Sequence, residues 1–164
     1  MSNEVVPHHA SAMPYSHVAI GVTDMARAMP FYLALGFRVA VDHVERWEDA
    51  GDLMAGHGGG GDRHVVYMRS IDGPAVQFLA LHHRASVRNK PLALDQVGLD
   101  HIGFWTDDVD GRVAALVEAG GKVLIPPFEA DGYGWTLEKG SVIRSVFLTD
   151  PDGTPIQLDQ VIHA

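Results

Sequence analysis

Cysteine is absent from this chain of 164 residues. That excludes disulfides, thiolate metal ligands and a cysteine nucleophile, and it fits a reducing compartment. Positive charge is scarce. Lys and Arg number 12 against 21 Asp and Glu, a net charge of −9 with His neutral. Phosphate backbones and anionic lipid surfaces are held by clustered Lys and Arg, so no nucleic-acid or membrane partner is expected. Long apolar runs are missing too, and nothing approaches the roughly 20 residues that span a bilayer. The opening residues, MSNEVVPHHASAMPYS, carry neither the basic nor the apolar region of a signal peptide. The expected location is the cytoplasm.

What is present is ordinary for a soluble globular protein: 46% hydrophobic and 20% charged residues. A chain of this size buries roughly 70% of its unfolded surface and needs no covalent staple. One stretch organises it. Ser16 to Val39, SHVAIGVTDMARAMPFYLALGFRV, is echoed by Asp100 to Val123, DHIGFWTDDVDGRVAALVEAGGKV. His17 aligns with His101, Asp24 with Asp108, Gly36 with Gly120 and Val39 with Val123, all at a single offset. A second echo closes each half, AVQFLAL at Ala75–Leu81 and PIQLDQV at Pro155–Val161, and pairs Gln77 with Gln157. Repeats of this kind are duplicated supersecondary units.

Alternation puts Val18, Ile20 and Val22 on one face of a first strand and His17, Ala19 and Gly21 on the other. Asp24 is the expected N-cap of a helix reaching about Leu35, with Met25, Ala28, Met29, Tyr32 and Leu35 inward, a bend at Pro30, and Gly36 as its left-handed stop. Strands follow at Phe37–His43, His64–Ser70 and Ala75–His82, so the first half reads β-α-β-β-β. The segment Val44–Arg63, with its glycine run, reads as a surface loop or a lid presenting Trp47, Met54 and His57. The second half has a strand at Leu99–Thr106 and a helix at Asp110–Ala119 with Val113, Leu116 and Val117 inward. A strand at Lys122–Ile125, a loop at Pro126–Gly140 and strands at Ser141–Leu148 and Thr154–Ile162 complete it. The expected class is α+β, divided as a flexible leader (1–14), a first module (15–83), a linker (84–97) and a second module (98–164).

His17, Gln77, His101 and Gln157 are the candidate metal ligands. If a pseudo-two-fold axis relates the halves, two imidazoles and two amide oxygens converge on one divalent cation. Zn, Fe, Ni, Co or Mn would suit such a set, and neutral ligands leave the metal's charge uncompensated, a strong Lewis acid. Either Gln could instead hydrogen-bond within a polar pocket.

The run FYLALGF at Phe31–Phe37, the duplicated strand-opening His and the closure DPDGTPIQL at Asp150–Leu158 resemble the vicinal oxygen chelate superfamily. That superfamily includes glyoxalase I, methylmalonyl-CoA epimerase, extradiol dioxygenases, fosfomycin-resistance enzymes and bleomycin-binding proteins. The resemblance implies two βαβββ modules in tandem, forming an eight-stranded, partly open barrel around a central cavity. It implies His17 and His101 as metal ligands, Gln77 in the closing-strand ligand position as in the epimerase pattern, and Gln157 where these enzymes usually carry Glu. An amide cannot act as a base near neutral pH, so the usual proton carrier and the usual iron triad are both lost. Asp159, two residues on and on the same strand face, is the first candidate to replace that base, or else forms a rim salt bridge. His83, His64, His57, Glu48 and Glu138 are further candidates. Arg144 would hold a substrate carboxylate or phenolate, or else sit on the surface.

The leading expectation is a divalent-metal lyase or isomerase acting on a small oxygenated substrate through an enolate-like intermediate, as a homodimer. The alternative is a metal-free protein that binds an antibiotic or aromatic compound, with Trp47, Phe128, Tyr133 and Trp135 as walls. A ring-cleaving dioxygenase ranks last because Gln157 leaves no carboxylate in place.

Overall fold

The computed structural model describes residues 16–46, 62–70, 78–83, 94, 97–135 and 137–163. Its elements run β1 (Val18–Val22), α1 (Met25–Ala34), β2 (Phe37–Glu45), β3 (Arg63–Ser70) and β4 (Phe78–His83). They continue as β5 (Ile102–Trp105), α2 (Val109–Glu118), β6 (Lys122–Asp131), a 3-10 turn at Gly132–Trp135, β7 (Val142–Thr149) and β8 (Pro155–His163). The strands form two four-stranded sheets of identical order, β1-β4-β3-β2 and β5-β8-β7-β6. In each, the first strand lies parallel to the last and the other pairs are antiparallel. The architecture is α+β with two tandem βαβββ units, and the sheets are not hydrogen-bonded into a closed barrel.

The repeated residues do the same local work in both halves. Asp24 caps α1 by accepting from Arg27 N at 3.2 Å, and Asp108 caps α2 by accepting from Gly111 N at 2.9 Å. Gly36 (φ 108°) and Gly120 (φ 95°) follow the helix ends in the left-handed region, where a side chain would be strained. Pro30 does not end α1. Its ring is exposed, and the helix around it is fixed by buried Met25, Ala28, Phe31 and Tyr32. In α2 the inward residues are Val109 and Leu116, whereas Val117 is 45% exposed, contrary to expectation. The strand expected to stop at Ile125 runs on to Asp131 through Pro126 and Pro127. It tolerates them because β6 is an edge strand with register shifts on both sides of Ile125.

One core joins the halves. Ile20, Val22, Leu79 and Leu81 from the first sheet and Val146, Leu148, Ile156 and Leu158 from the second belong to it, with Phe31 and Leu116 from the two helices. Phe37 meets Phe104 edge to face at 5.8 Å. The seam is also polar. Tyr32 Oη donates to Asp150 Oδ2 at 2.7 Å, Thr23 N and Oγ1 donate to Asp152, and Arg27 pairs with Asp152. Burial pushes the Asp150 carboxyl up from its ordinary range, although it accepts from Thr154 N, Tyr32 and Asp152 N. Burial, and then the charge of Asp150, hold the Tyr32 phenol well above its usual value. Gly121 sits where three elements close. A Cβ there would lie 2.7 Å from Phe31 Cε2 and 2.9 Å from the carbonyls of Leu116 and Thr149.

Candidate functional site

Because Val18, Ile20 and Val22 turn into the core, Ala19 and Gly21 lie on the outer face of the first sheet. His17, just ahead of β1, joins that face. The register carries it across the sheet, since Ala19 pairs with Ala80, Ala80 with Tyr67, and Tyr67 with Val41. His17 meets Tyr67 edge to face at 6.1 Å, and His43 stacks on Tyr67 at 5.8 Å and 10°. The second sheet repeats the plan. Ile102 and Phe104 pack on the core, and His101, Gly103 and Trp105 take the other face. Gly103 pairs with Gln157, which pairs with Phe147, and Ser145 pairs with Asp159. His101 meets Phe147 edge to face at 5.4 Å, and Phe128 stacks on Phe147 at 6.4 Å and 3°.

Gln157, Asp159 and Ser145 are all buried on this second face. Asp159 Oδ1 accepts from Ser145 Oγ and from Gln157 Nε2, the latter at 2.8 Å. Asp159 therefore shares the face of Gln157, as strand alternation requires. Its carboxylate accepts from both Ser145 and Gln157 within the sheet.

Each histidine has its Nδ1 beside the residue that precedes it. Asp100 Oδ1 lies 2.5 Å from His101 Nδ1 and accepts that nitrogen's proton. Ser16 Oγ lies 2.9 Å from His17 Nδ1. Engagement of the outer nitrogen by the preceding residue is the usual support of a metal-binding imidazole, so the donor chemistry fits a divalent cation. Among the described residues no group of three or more His, Cys, Asp or Glu is placed to hold a metal, and no hydrogen bond or ring contact joins His17 to His101. Gln77, Trp47, Glu48, Met54 and His57 lie outside the described residues.

Arg144 lies elsewhere on β7. It alternates with Ser145 onto the helix side of β7, where Nη2 donates to Asp110 Oδ1 at 2.9 Å in the first turn of α2. From there it does not share the face of His101 and Gln157, so contact with a substrate on that face is not supported. Two of the alternative bases fare likewise. His64 pairs with Asp42 at 2.5 Å, and His64 and His83 line a groove with Thr23, Asp24 and Met25 beside the start of α1. Glu138 is exposed. Sequence reading did not single out Tyr67, His43, Ser145 and Phe147, which stand on the faces of the two histidines. Alternation marks each as sharing a face with its strand neighbours, but only cross-strand register reveals which face meets the histidines.

The sequence model of the Glyoxalase/Bleomycin resistance protein/Dioxygenase superfamily matches residues 16–137. The chain belongs to this superfamily. Relatives agree. The uncharacterized protein YaeR of Escherichia coli K12 is 29% identical over 143 residues, covering 87% of this chain and 92% of that protein. A glyoxalase family protein from Bacillus cereus superposes with a TM-score of 0.66 at 18% identity, covering 93% of this chain and 97% of that one. The fosfomycin resistance protein FosX of Listeria monocytogenes, solved with Mn(II) and sulfate, gives 0.57 at 10% identity over 92% of this chain and 93% of that one. At these identities the superposed structures establish the shared fold. No helix among the described residues is long and apolar enough to cross a membrane.

Proposed function

We propose that the chain is a divalent-metal-dependent lyase or isomerase of the glyoxalase and epimerase kind, moving a proton on a small oxygenated substrate. The observation that carries this reading is the matched pair His17 and His101, each at the head of its half's first strand with Nδ1 engaged. Gln157 would add a neutral amide oxygen; at the matching register of the first sheet, where Ala19 pairs with Ala80 as Gly103 pairs with Gln157, stands Ala80. A metal bound by such neutral donors supplies Lewis acidity toward adjacent substrate oxygens. The chain's own residues must then move the proton. Gln157 has no titratable lone pair near neutral pH, so we assign proton transfer to the Asp159 carboxylate beside it.

We assign the complete site to a homodimer that apposes the first face of one copy to the second face of the other. Exposed Trp105 (57%) and Val161 (40%) on the second sheet support a covered surface there. The test is elemental analysis by mass spectrometry of protein purified without chelator. About one equivalent of Zn, Fe, Ni, Co or Mn per site is expected, lost when His17 and His101 are both changed to Ala. Full metal retention in that double variant overturns the reading, as does wild-type protein that neither carries nor takes up a divalent ion.

The paired rings of Phe128 and Phe147, with His101 edge-on, favour a second reading, a metal-free binder of flat aromatic compounds. It requires ligand affinity indifferent to chelator and no turnover.

A further inference from the structure

The buried contact between Gln157 and Asp159 has a directional consequence. β8 puts both side chains on one face, both nearly sequestered from solvent. Gln157 Nε2 donates to Asp159 Oδ1 at 2.8 Å. An ionised carboxylate only accepts, so it can pair with the amide's NH2 end and never with its oxygen. Ser145 Oγ donates to the same Oδ1 from β7, directly across the ladder, and anchors the carboxylate. A primary amide is nearly symmetric in shape and could turn over at little steric cost. Only one of its two ends, the carbonyl oxygen, can face a cation.

We propose that Asp159 is a positioning residue that commits the NH2 end of Gln157 to itself and thereby aims Gln157 Oε1 outward as a metal ligand. This rests on the metal reading above and adds to it. It explains how an amide serves at a ligand position: the adjacent carboxylate supplies the orientation that an amide, unlike a two-oxygen carboxylate ligand, requires. Asp159→Asn removes the selection, because an Asn side chain accepts or donates and tolerates either orientation of Gln157. In the Gln157→Glu background both ligand oxygens are equivalent, so there is nothing to orient, and two facing carboxylates repel.

The experiment is a four-protein cycle of Zn(II) affinity, measured by competition with a chromophoric chelator on wild type, Asp159→Asn, Gln157→Glu and the double variant. Circular dichroism and thermal unfolding check the fold of each. We expect Asp159→Asn to weaken Zn(II) by about 10–100-fold, as loss of an outer-shell partner does. We expect the same change to leave affinity equal or tighter in the Gln157→Glu background. A loss of the same factor in both backgrounds overturns the proposal, because Asp159 would then act through its charge. So does an Asp159→Asn affinity within about twofold of wild type. Wild-type protein that binds no Zn(II), Ni(II) or Mn(II) overturns the metal reading and this inference with it. Ser145→Ala keeps the falsification open if Asp159→Asn fails to fold. It loosens the anchored carboxylate, so Zn(II) affinity is expected to fall in the wild-type background and to hold in the Gln157→Glu background. Equal losses in both backgrounds would overturn the proposal.

Discussion

The outer faces of the two sheets are copies in plan and opposites in chemistry. On the first, His17 abuts Tyr67, which stacks on His43. On the second, His101 abuts Phe147, which stacks on Phe128. An imidazole and a phenol stand where the other half has two phenyl rings. In compensation, the second face keeps its polar groups inside the sheet, where Ser145, Gln157 and Asp159 satisfy one another. Duplication preserved what the fold needs, namely the helix caps Asp24 and Asp108 and the stops Gly36 and Gly120. It left the side chains around each histidine free to diverge, because residues facing away from the shared core are not constrained by its packing.

The comparison can be broken or sharpened by experiment. The largest effect is expected at what the faces share: His17→Ala and His101→Ala should each abolish the metal uptake proposed above, read by elemental analysis. Retention in one variant alone would make the halves unequal partners. Next comes the seam. Gly121→Ala forces a methyl against Phe31 and two carbonyls, and should lower unfolding free energy by about 2–3 kcal/mol in urea denaturation. A neutral result would mean that the halves are not locked together there. Third, Ser145→Ala leaves the buried Asp159 without one of its donors and should cost about 1–2 kcal/mol. Tyr67→Phe, which makes the first face resemble the second, should change stability by less than about 0.5 kcal/mol. Equal costs would erase the distinction between an open face and a face with a buried network.

A subtler effect belongs to Asp150. Its folded pKa lies above its unfolded one because burial disfavours the charge. Its favourable contribution is therefore fully present below the unfolded value and is lost as pH rises through the folded value. Asp150→Asn should flatten the wild-type decline in stability across that window, measured by thermal unfolding at a series of pH values. A profile parallel to wild type would assign the decline to other groups.

Much of this was legible in the chain. The offset that aligns His17 with His101 exposed the duplication, and period-two alternation put both histidines opposite the apolar stripe, because burial of one strand face is a local pattern. The same rule placed Asp159 with Gln157. It also separates Arg144 from Ser145 and Phe147, but which of those faces meets His101 depends on how β8 registers against β5 and β7. The continuation of β6 through Pro126 and Pro127 was hidden for a related reason: proline is excluded from a central strand and accepted on an edge, and edge status is a property of the assembled sheet.

The sequence by itself determined the two βαβββ units, their caps and stops, and the positions of the histidines within them, since each follows from residues a few places apart. Tertiary structure decided which strands are neighbours, that Tyr67 and Phe147 stand beside the histidines, and that Arg144 turns to Asp110. It also decided that Ser145 and Gln157 both spend their donors on Asp159. Those outcomes depend on cross-strand register and on packing the two sheets over one core. Both are set by the summed burial of many distant side chains, and no short window of sequence contains that sum.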